Sequence, residues 1–184
     1  MKKSFLILFL LPVSLCMAQV KTAYFANGSK MYEGKFVDAS PEFFSPTFES
    51  LPKEDKARLM ASAKKDGEWK TWFENGKIAS EEMWRNGVIT GHWKQYNMDG
   101  KVSADLNFGS GISAFYYATG EKESQGLMLE GYVLDGEWTG FHENGKISFT
   151  GKYNKGQKDG VWIYYNVDGS KNTEQKFENG TVVH

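Results

Sequence analysis

The chain has 184 residues with 22 basic against 23 acidic side chains, interspersed rather than gathered into a stripe, which excludes a surface that tracks a phosphate backbone and with it a nucleic-acid partner. Its one cysteine, Cys16, lies in the leader described next, so the remainder has no disulfide, no thiol nucleophile and no zinc–thiolate site. After the leader, no apolar run is long enough to cross a membrane as a helix.

The first residues read MKKSFLILFLLPVSLCMAQ. Lys2 and Lys3 make a short basic start, Phe5 to Leu11 is an unbroken apolar run, and small residues follow up to Ala18. This is the layout of a secretory signal peptide spanning 1–18, with cleavage after Ala18 and an exported product, periplasmic or secreted, that starts at Gln19. A lipoprotein anchored through Cys16 is the lesser reading, because the residue before the cysteine is Leu15 rather than a small one. Residues 19–184 carry 20 basic and 23 acidic side chains and amount to one domain's worth of sequence.

An internal repeat organises that domain. With a turn glycine as position zero, six lines align at Gly28, Gly76, Gly100, Gly120, Gly145 and Gly169. Four positions earlier every line is aromatic: Tyr24, Trp72, Tyr96, Tyr116, Phe141, Tyr165. Seven positions earlier stand Trp69, Trp93, Ser113, Trp138 and Trp162, each two residues after another glycine. Eight positions later come Phe36, Trp84, Phe108, Met128, Tyr153 and Phe177, and a second turn glycine follows at plus eleven in five of the lines. The unit is about 24 residues long. Asn-Gly and Asp-Gly between short β-prone runs mark hairpins, so each unit predicts two antiparallel strands. The whole is expected to be all-β: an elongated antiparallel meander of about six hairpin repeats and roughly twelve strands, each leaning on its neighbours for a core. The residues at minus seven and minus four have opposite parity and face opposite sides of the sheet. A two-residue loop puts Trp69 with Ile78 and Trp84; a three-residue loop with a glycine bulge puts Trp72 there instead, and Thr119 favours the bulged form. One aromatic set is core, and the other is covered by curvature or open to a partner.

The pattern breaks at 38–65, which holds Pro41, Pro46 and Pro52 and predicts a helix from about Pro52 to Lys64 capped by Ser50, with Leu59, Met60 and Ala63 toward one side. Phe43, Phe44 and Phe48 either plug the open end of the core or form a binding anchor. The line at Gly120 is the weakest, with Ser113 for Trp, Thr119 for Asn and Met128 for an aromatic, and predicts a bend or a variable surface.

The run Gly67-Glu68-Trp69 through Trp72, Asn75-Gly76-Lys77 and on to Trp84 resembles the MORN-repeat variant of bacterial proteins, some of them labelled antitoxin components, and the resemblance extends over about 140 residues. It implies a β-hairpin array for binding and scaffolding, with no catalytic residues, metal or cofactor to carry over.

The rest of the sequence agrees with a non-enzyme. His92, His142 and His184 sit at different repeat positions without ligand spacing, and read as solvated surface. Glu81-Glu82 and Glu121-Lys122-Glu123 read as exposed strand faces rather than an acid–base pair. No glycine-rich loop opens a helix to cradle a phosphate. The first expectation is therefore a protein-interaction module, antitoxin- or immunity-like, whose partner is read by Tyr24, Trp72, Tyr96, Tyr116, Phe141, Tyr165 and the Phe43, Phe44, Phe48 cluster. The alternative is glycan or cell-wall binding, with the six minus-four aromatics as a stacking platform. Phospholipid headgroup binding rests on analogy with eukaryotic MORN proteins and is weakened by the missing basic patch.

Overall fold

A computed structural model describes residues 19–109 and 111–183. The leader and Cys16 therefore lie outside the described residues, as does His184. One sheet of thirteen strands contains every strand among the described residues, in sequence order. The strands are β1 (Gln19–Tyr24), β2 (Lys30–Val37), β3 (Lys64–Trp72), β4 (Ile78–Arg85), β5 (Val88–Tyr96), β6 (Val102–Phe108), β7 (Ile112–Tyr116), β8 (Lys122–Leu129), β9 (Val133–Phe141), β10 (Ile147–Asn154), β11 (Gln157–Tyr165), β12 (Lys171–Glu178) and β13 (Thr181–Val183). The six repeat lines are the hairpins β1–β2, β3–β4, β5–β6, β7–β8, β9–β10 and β11–β12, and the thirteenth strand follows the last plus-eleven turn.

The six zero-glycine turns share one construction. In the second, the Phe73 N–H donates to the Lys77 carbonyl at 2.8 Å and the Gly76 N–H to the Phe73 carbonyl at 2.9 Å. The loop is thus the three residues Glu74, Asn75 and Gly76, with Gly76 alone at positive φ (80°). The asparagine acts through its side chain: the Asn75 Oδ1 accepts the Lys77 N–H at 3.0 Å, and Asn144 and Asp168 accept from Lys146 and Ser170 in the same way. Two-residue loops with both residues at positive φ occur instead at plus eleven, in Asn86-Gly87, Lys155-Gly156 and Asn179-Gly180.

The three-residue loop does not place Trp72 with Trp84, as simple parity requires. Trp72 pairs with Ile78 but Thr71 pairs with Ser80, so Ala79 is an extra residue on the return strand. That second bulge flips the parity back. Trp69 and Trp84 share one face, and Trp72 and Ile78 share the other. The same shift recurs beside Tyr24, Tyr96, Tyr116, Phe141 and Tyr165.

The minus-seven tryptophans form the core. Trp69, Trp138 and Trp162 are buried, and they lie across glycines on the neighbouring strand: Gly34, Gly126 and Gly151. Each indole N–H donates to the carbonyl after that glycine, on Lys35 (2.9 Å), Leu127 (3.0 Å) and Lys152 (3.1 Å). Trp93 meets Glu82 where the others meet a glycine, and its indole N–H has no partner among the described residues. At Ser113 the missing indole changes the backbone. The Ser113 hydroxyl is buried and accepts the Asn107 N–H at 2.9 Å, β6 and β7 share two register pairs, and Phe108 pairs in parallel with Met128 of β8. The weak repeat line is where the sheet changes its pairing.

Between β2 and β3 the chain forms two 3-10 turns (Pro41–Phe44 and Phe48–Ser50) and helix α1 (Lys53–Ser62). The expected helix is shorter at its C-terminus, because Ala63 is extended and Lys64 already begins β3. Pro52 holds the N-cap position, and Ser50 bonds the Thr47 carbonyl instead of capping. Phe43 and Phe48 are buried with Phe36, Leu59 and Trp69 in one cluster, while Phe44 packs at its margin. Lys21 stands at minus seven in the first unit, where four of the other five carry tryptophan. Its ammonium lies over the Phe43 and Phe48 rings and donates to the Phe43 carbonyl at 2.6 Å. The insertion thus supplies the aromatic mass that the first repeat lacks.

Candidate functional site

With the tryptophans turned inward, the minus-four residues occupy the outer face of the sheet. Tyr24 is exposed, and Trp72, Tyr96, Tyr116, Phe141 and Tyr165 are half-buried; none is core. Each faces a residue of its own hairpin: Lys30, Ile78, Val102, Lys122, Ile147 and Lys171 respectively. Two strands separate successive aromatics, which sets them about 9–10 Å apart. Phe43 and Phe48, grouped with them on sequence grounds, are buried on the other side, so the structure does not bring the two groups together.

A second row runs beside the aromatics and was not evident in the sequence. Direct strand pairing joins Thr22, Glu33, Lys70, Glu81, Lys94, Asp105, Ala114, Gln125, Thr139, Thr150, Ile163 and Glu174 in one line across twelve strands. Its character changes at Ala114. From Glu33 to Asp105 the charges alternate, with Lys70–Glu81 at 3.0 Å and Lys94–Asp105 at 3.3 Å, and His92 also bonded to Asp105. From Ala114 to Ile163 the row carries no charge. The signal in sequence was the pair of positions six before and five after zero, which alternate Lys and Glu/Asp early and turn to Ala, Gln and Thr later.

The charged half is internally satisfied. Glu81 accepts the Tyr96 hydroxyl at 2.8 Å as well as Lys70, and the Lys70 bond and then the tyrosine hold its carboxyl below the usual range. Burial first, and the bond to Glu81 second, push the Tyr96 phenol up to about 12. The neighbouring Glu82 is not the solvated carboxylate expected from sequence. Its side chain is 10% exposed, on the core face, where it meets Lys65 at 3.1 Å and accepts the Trp84 indole N–H at 2.6 Å. The Lys65 ammonium lies 4.5 Å from the centres of both the Trp69 and Trp84 rings. Lys158, at the same repeat position, covers Trp162 in the same way.

The hairpin loops are laced along one end of the sheet. The Lys77, Lys101 and Lys146 ammonium groups donate to the carbonyls of Asp99, Thr119 and Asp168 in the following loop. His142 is part-buried rather than solvated, its Nε2–H donating to the Tyr165 carbonyl at 2.9 Å, while His92 is half-exposed. Among the described residues no three His, Cys, Asp or Glu side chains are grouped to hold a metal. No helix among them is long and apolar enough to cross a membrane.

Two segments of the chain, residues 65–86 and 134–155, match the family described as the MORN repeat variant. They are the β3–β4 and β9–β10 hairpins, each cut at the same phase of the repeat, and each includes one core tryptophan and one outer aromatic. No curated protein matches the chain. MORN repeats are in general non-catalytic modules for interaction with proteins or membranes.

Proposed function

We propose that this chain is an exported, non-catalytic module that binds another protein through the outer face of its sheet, in an antitoxin- or immunity-like role. The observation that supports this is the placement of the six minus-four aromatics on one face, beside a row that loses its charges after Asp105. Aromatic anchors next to uncharged positions have the composition of an interface core, where charged groups are depleted. Ile112, Ile147 and Val161 lie exposed on this half of the sheet and extend its apolar area. The charged half, with its ions already paired, suits the polar rim. The test is crosslinking and pull-down from envelope fractions with the wild-type chain and with a Phe141→Glu, Tyr165→Glu variant of unchanged melting temperature. A specific protein held by the wild type and released by the variant supports the reading. Recovery of none, even at low salt, rejects it.

A second reading is favoured by one detail. Gln125, Thr139 and Thr150 put amide and hydroxyl groups beside Tyr116, Phe141 and Tyr165, a combination suited to a neutral extended glycan whose sugar rings stack on aromatics. Retention of the chain on a column of neutral β-linked polysaccharide, lost in the same variant, is the result expected on that reading.

A further inference from the structure

The first strand and the insertion leave a groove between them. Among the described residues, β1 pairs with β2 alone. The Phe25 N–H bonds the Ser29 carbonyl, so Phe25 turns its backbone toward β2. By the alternation of an antiparallel ladder, Val20, Thr22 and Tyr24 turn their backbone N–H and C=O groups away from it. Two clefts of about 440 and 420 Å³ lie along this edge. The first is bounded by Gln19 to Thr22 on one side and by Phe44, Pro46 and Phe48 on the other; the second by Thr22 to Tyr24 and by Phe48, Lys56 and Met60. They share Thr22, Phe48 and Glu49, and so form one groove with an edge strand as one wall and the insertion as the other.

The chemistry of the walls narrows the occupant. Phe48 lies at the base, and Met60 and Tyr24 stand at the far end, 52% and 58% exposed. The nearby charges are already engaged. Lys56 meets the Glu49 carboxylate at 3.7 Å and donates to its carbonyl at 2.5 Å, and Lys21 donates to the Phe43 carbonyl. The groove therefore offers main-chain hydrogen bonds along one side and apolar surface along the other, and its two lysines are already tied down, Lys56 to Glu49 and Lys21 to the Phe43 carbonyl and the Phe43 and Phe48 rings.

We propose that this groove binds an extended segment of a partner protein, which adds to the free edge of β1 as a further strand. Main-chain bonds to Val20, Thr22 and Tyr24 hold it, and uncharged apolar side chains at every second position pack against Phe48 and Met60. The insertion is then the wall that gives the edge its selectivity. This goes beyond the outer-face reading and shares only Thr22 and Tyr24 with it, both far from Phe141 and Tyr165, so the two are tested apart.

The test uses the full chain and a display library of random nine-residue peptides. Enriched peptides are expected to show period-two apolar patterning. N-methylation of their backbone at alternate positions should weaken binding roughly three- to tenfold for each blocked bond, with no effect at the positions between. Thr22→Pro removes an outward N–H without breaking a backbone bond to β2, at the loss only of the long 3.4 Å hydroxyl contact to Glu33, and should cost a similar factor at a melting temperature close to wild type. Phe141→Glu, Tyr165→Glu should leave peptide affinity intact, which separates this site from the outer face. Indifference to N-methylation, or full affinity in Thr22→Pro, overturns the proposal. A photo-crosslinker at Met60 identifies the occupant in the full chain: capture of the added peptide supports the proposal, and capture of residues 1–18 or of a second copy instead of the peptide overturns it.

Discussion

The Trp69 indole lies flat across Gly34 on the adjacent strand, so close that a Cβ on that glycine would fall within 3.0 Å of the ring. Trp138 over Gly126 and Trp162 over Gly151 repeat the arrangement. These glycines are not turn residues, and φ at Gly34, Gly126 and Gly151 is not positive. They are needed for space. Gly34→Ala is therefore expected to displace the indole and destabilise the protein by about 1–3 kcal/mol, the usual cost of overpacking. At Gly76 the reverse holds: a Cβ there would meet nothing within 4 Å, but the backbone sits at φ 80°. Gly76→Val should cost at least about 1–2 kcal/mol through backbone strain alone. Denaturant midpoints give both losses. Tryptophan fluorescence separates them, because only Gly34→Ala should change its native-state emission.

That contrast shows how far the sequence carried. The turn glycines, the six hairpins and the alternation of aromatic faces were legible, since each follows from backbone conformation or from a period of two. The space-making glycines were not, because Gly34, Gly126 and Gly151 hold the plus-six position in only three of six lines, where the others have Glu82, Leu106 and Gln175. Parity was ambiguous for a related reason. Two bulges in succession, one at Gly76 and one at Ala79, cancel, and nothing in the residue type of Ala79 announces the second. The binding face was half legible. The minus-four aromatics stood out, but the line from Thr22 to Glu174 joins residues far apart in sequence and becomes a feature only once the strand register is known.

The adjacent Glu81 and Glu82 should behave oppositely when removed. Glu82→Ala takes away the partner of Lys65 and the acceptor of the Trp84 indole N–H on the core face, and is expected to destabilise by roughly 1.5–3 kcal/mol, the range for hydrogen bonds to a charged group. Glu81→Ala opens an outer-face ion pair whose members are 44% and 37% exposed, worth no more than about 1 kcal/mol, and removes the acceptor of the Tyr96 hydroxyl on the same solvent face; its loss should be the smaller of the two. Equal losses in thermal unfolding would mean that the two carboxylates do not lie on opposite faces.

Tyr96 predicts a stability loss in alkali. Its phenol is raised from 10.0 to about 12 in the folded chain, by burial and then by the bond to Glu81. The folded state thus holds that proton where the unfolded state has released it, so this contribution is fully present below pH 10 and is lost as the pH rises toward about 12. Tyr32, Tyr117, Tyr132 and Tyr153 are shifted in the same direction, each mainly by burial. Urea midpoints measured across that interval should fall, and Tyr96→Phe should make the fall shallower without abolishing it. An identical slope in the variant would show that the Tyr96 phenol is not held above its ordinary value in solution.

Phe43 connects the insertion to the repeat array, and its loss tests whether the two fold together. Its ring is fully buried, edge-on to Phe36 at 4.7 Å and to Phe48 at 5.1 Å, with the Lys21 ammonium 3.9 Å from its centre. Phe43→Ala should cost about 3–5 kcal/mol by opening a cavity under the insertion. Because Phe36 and Trp69 belong to the same cluster, the loss should reach the first two hairpins rather than stay local. The second cluster, around Leu106, Met128 and Trp138, draws its buried residues from β5, β6, β8 and β9 and touches the first through Trp84. Hydrogen exchange should accordingly show faster exchange in β1 to β3 of the variant, with β9 to β11 close to wild type. Uniform acceleration across all thirteen strands would show instead that the sheet unfolds as one cooperative unit.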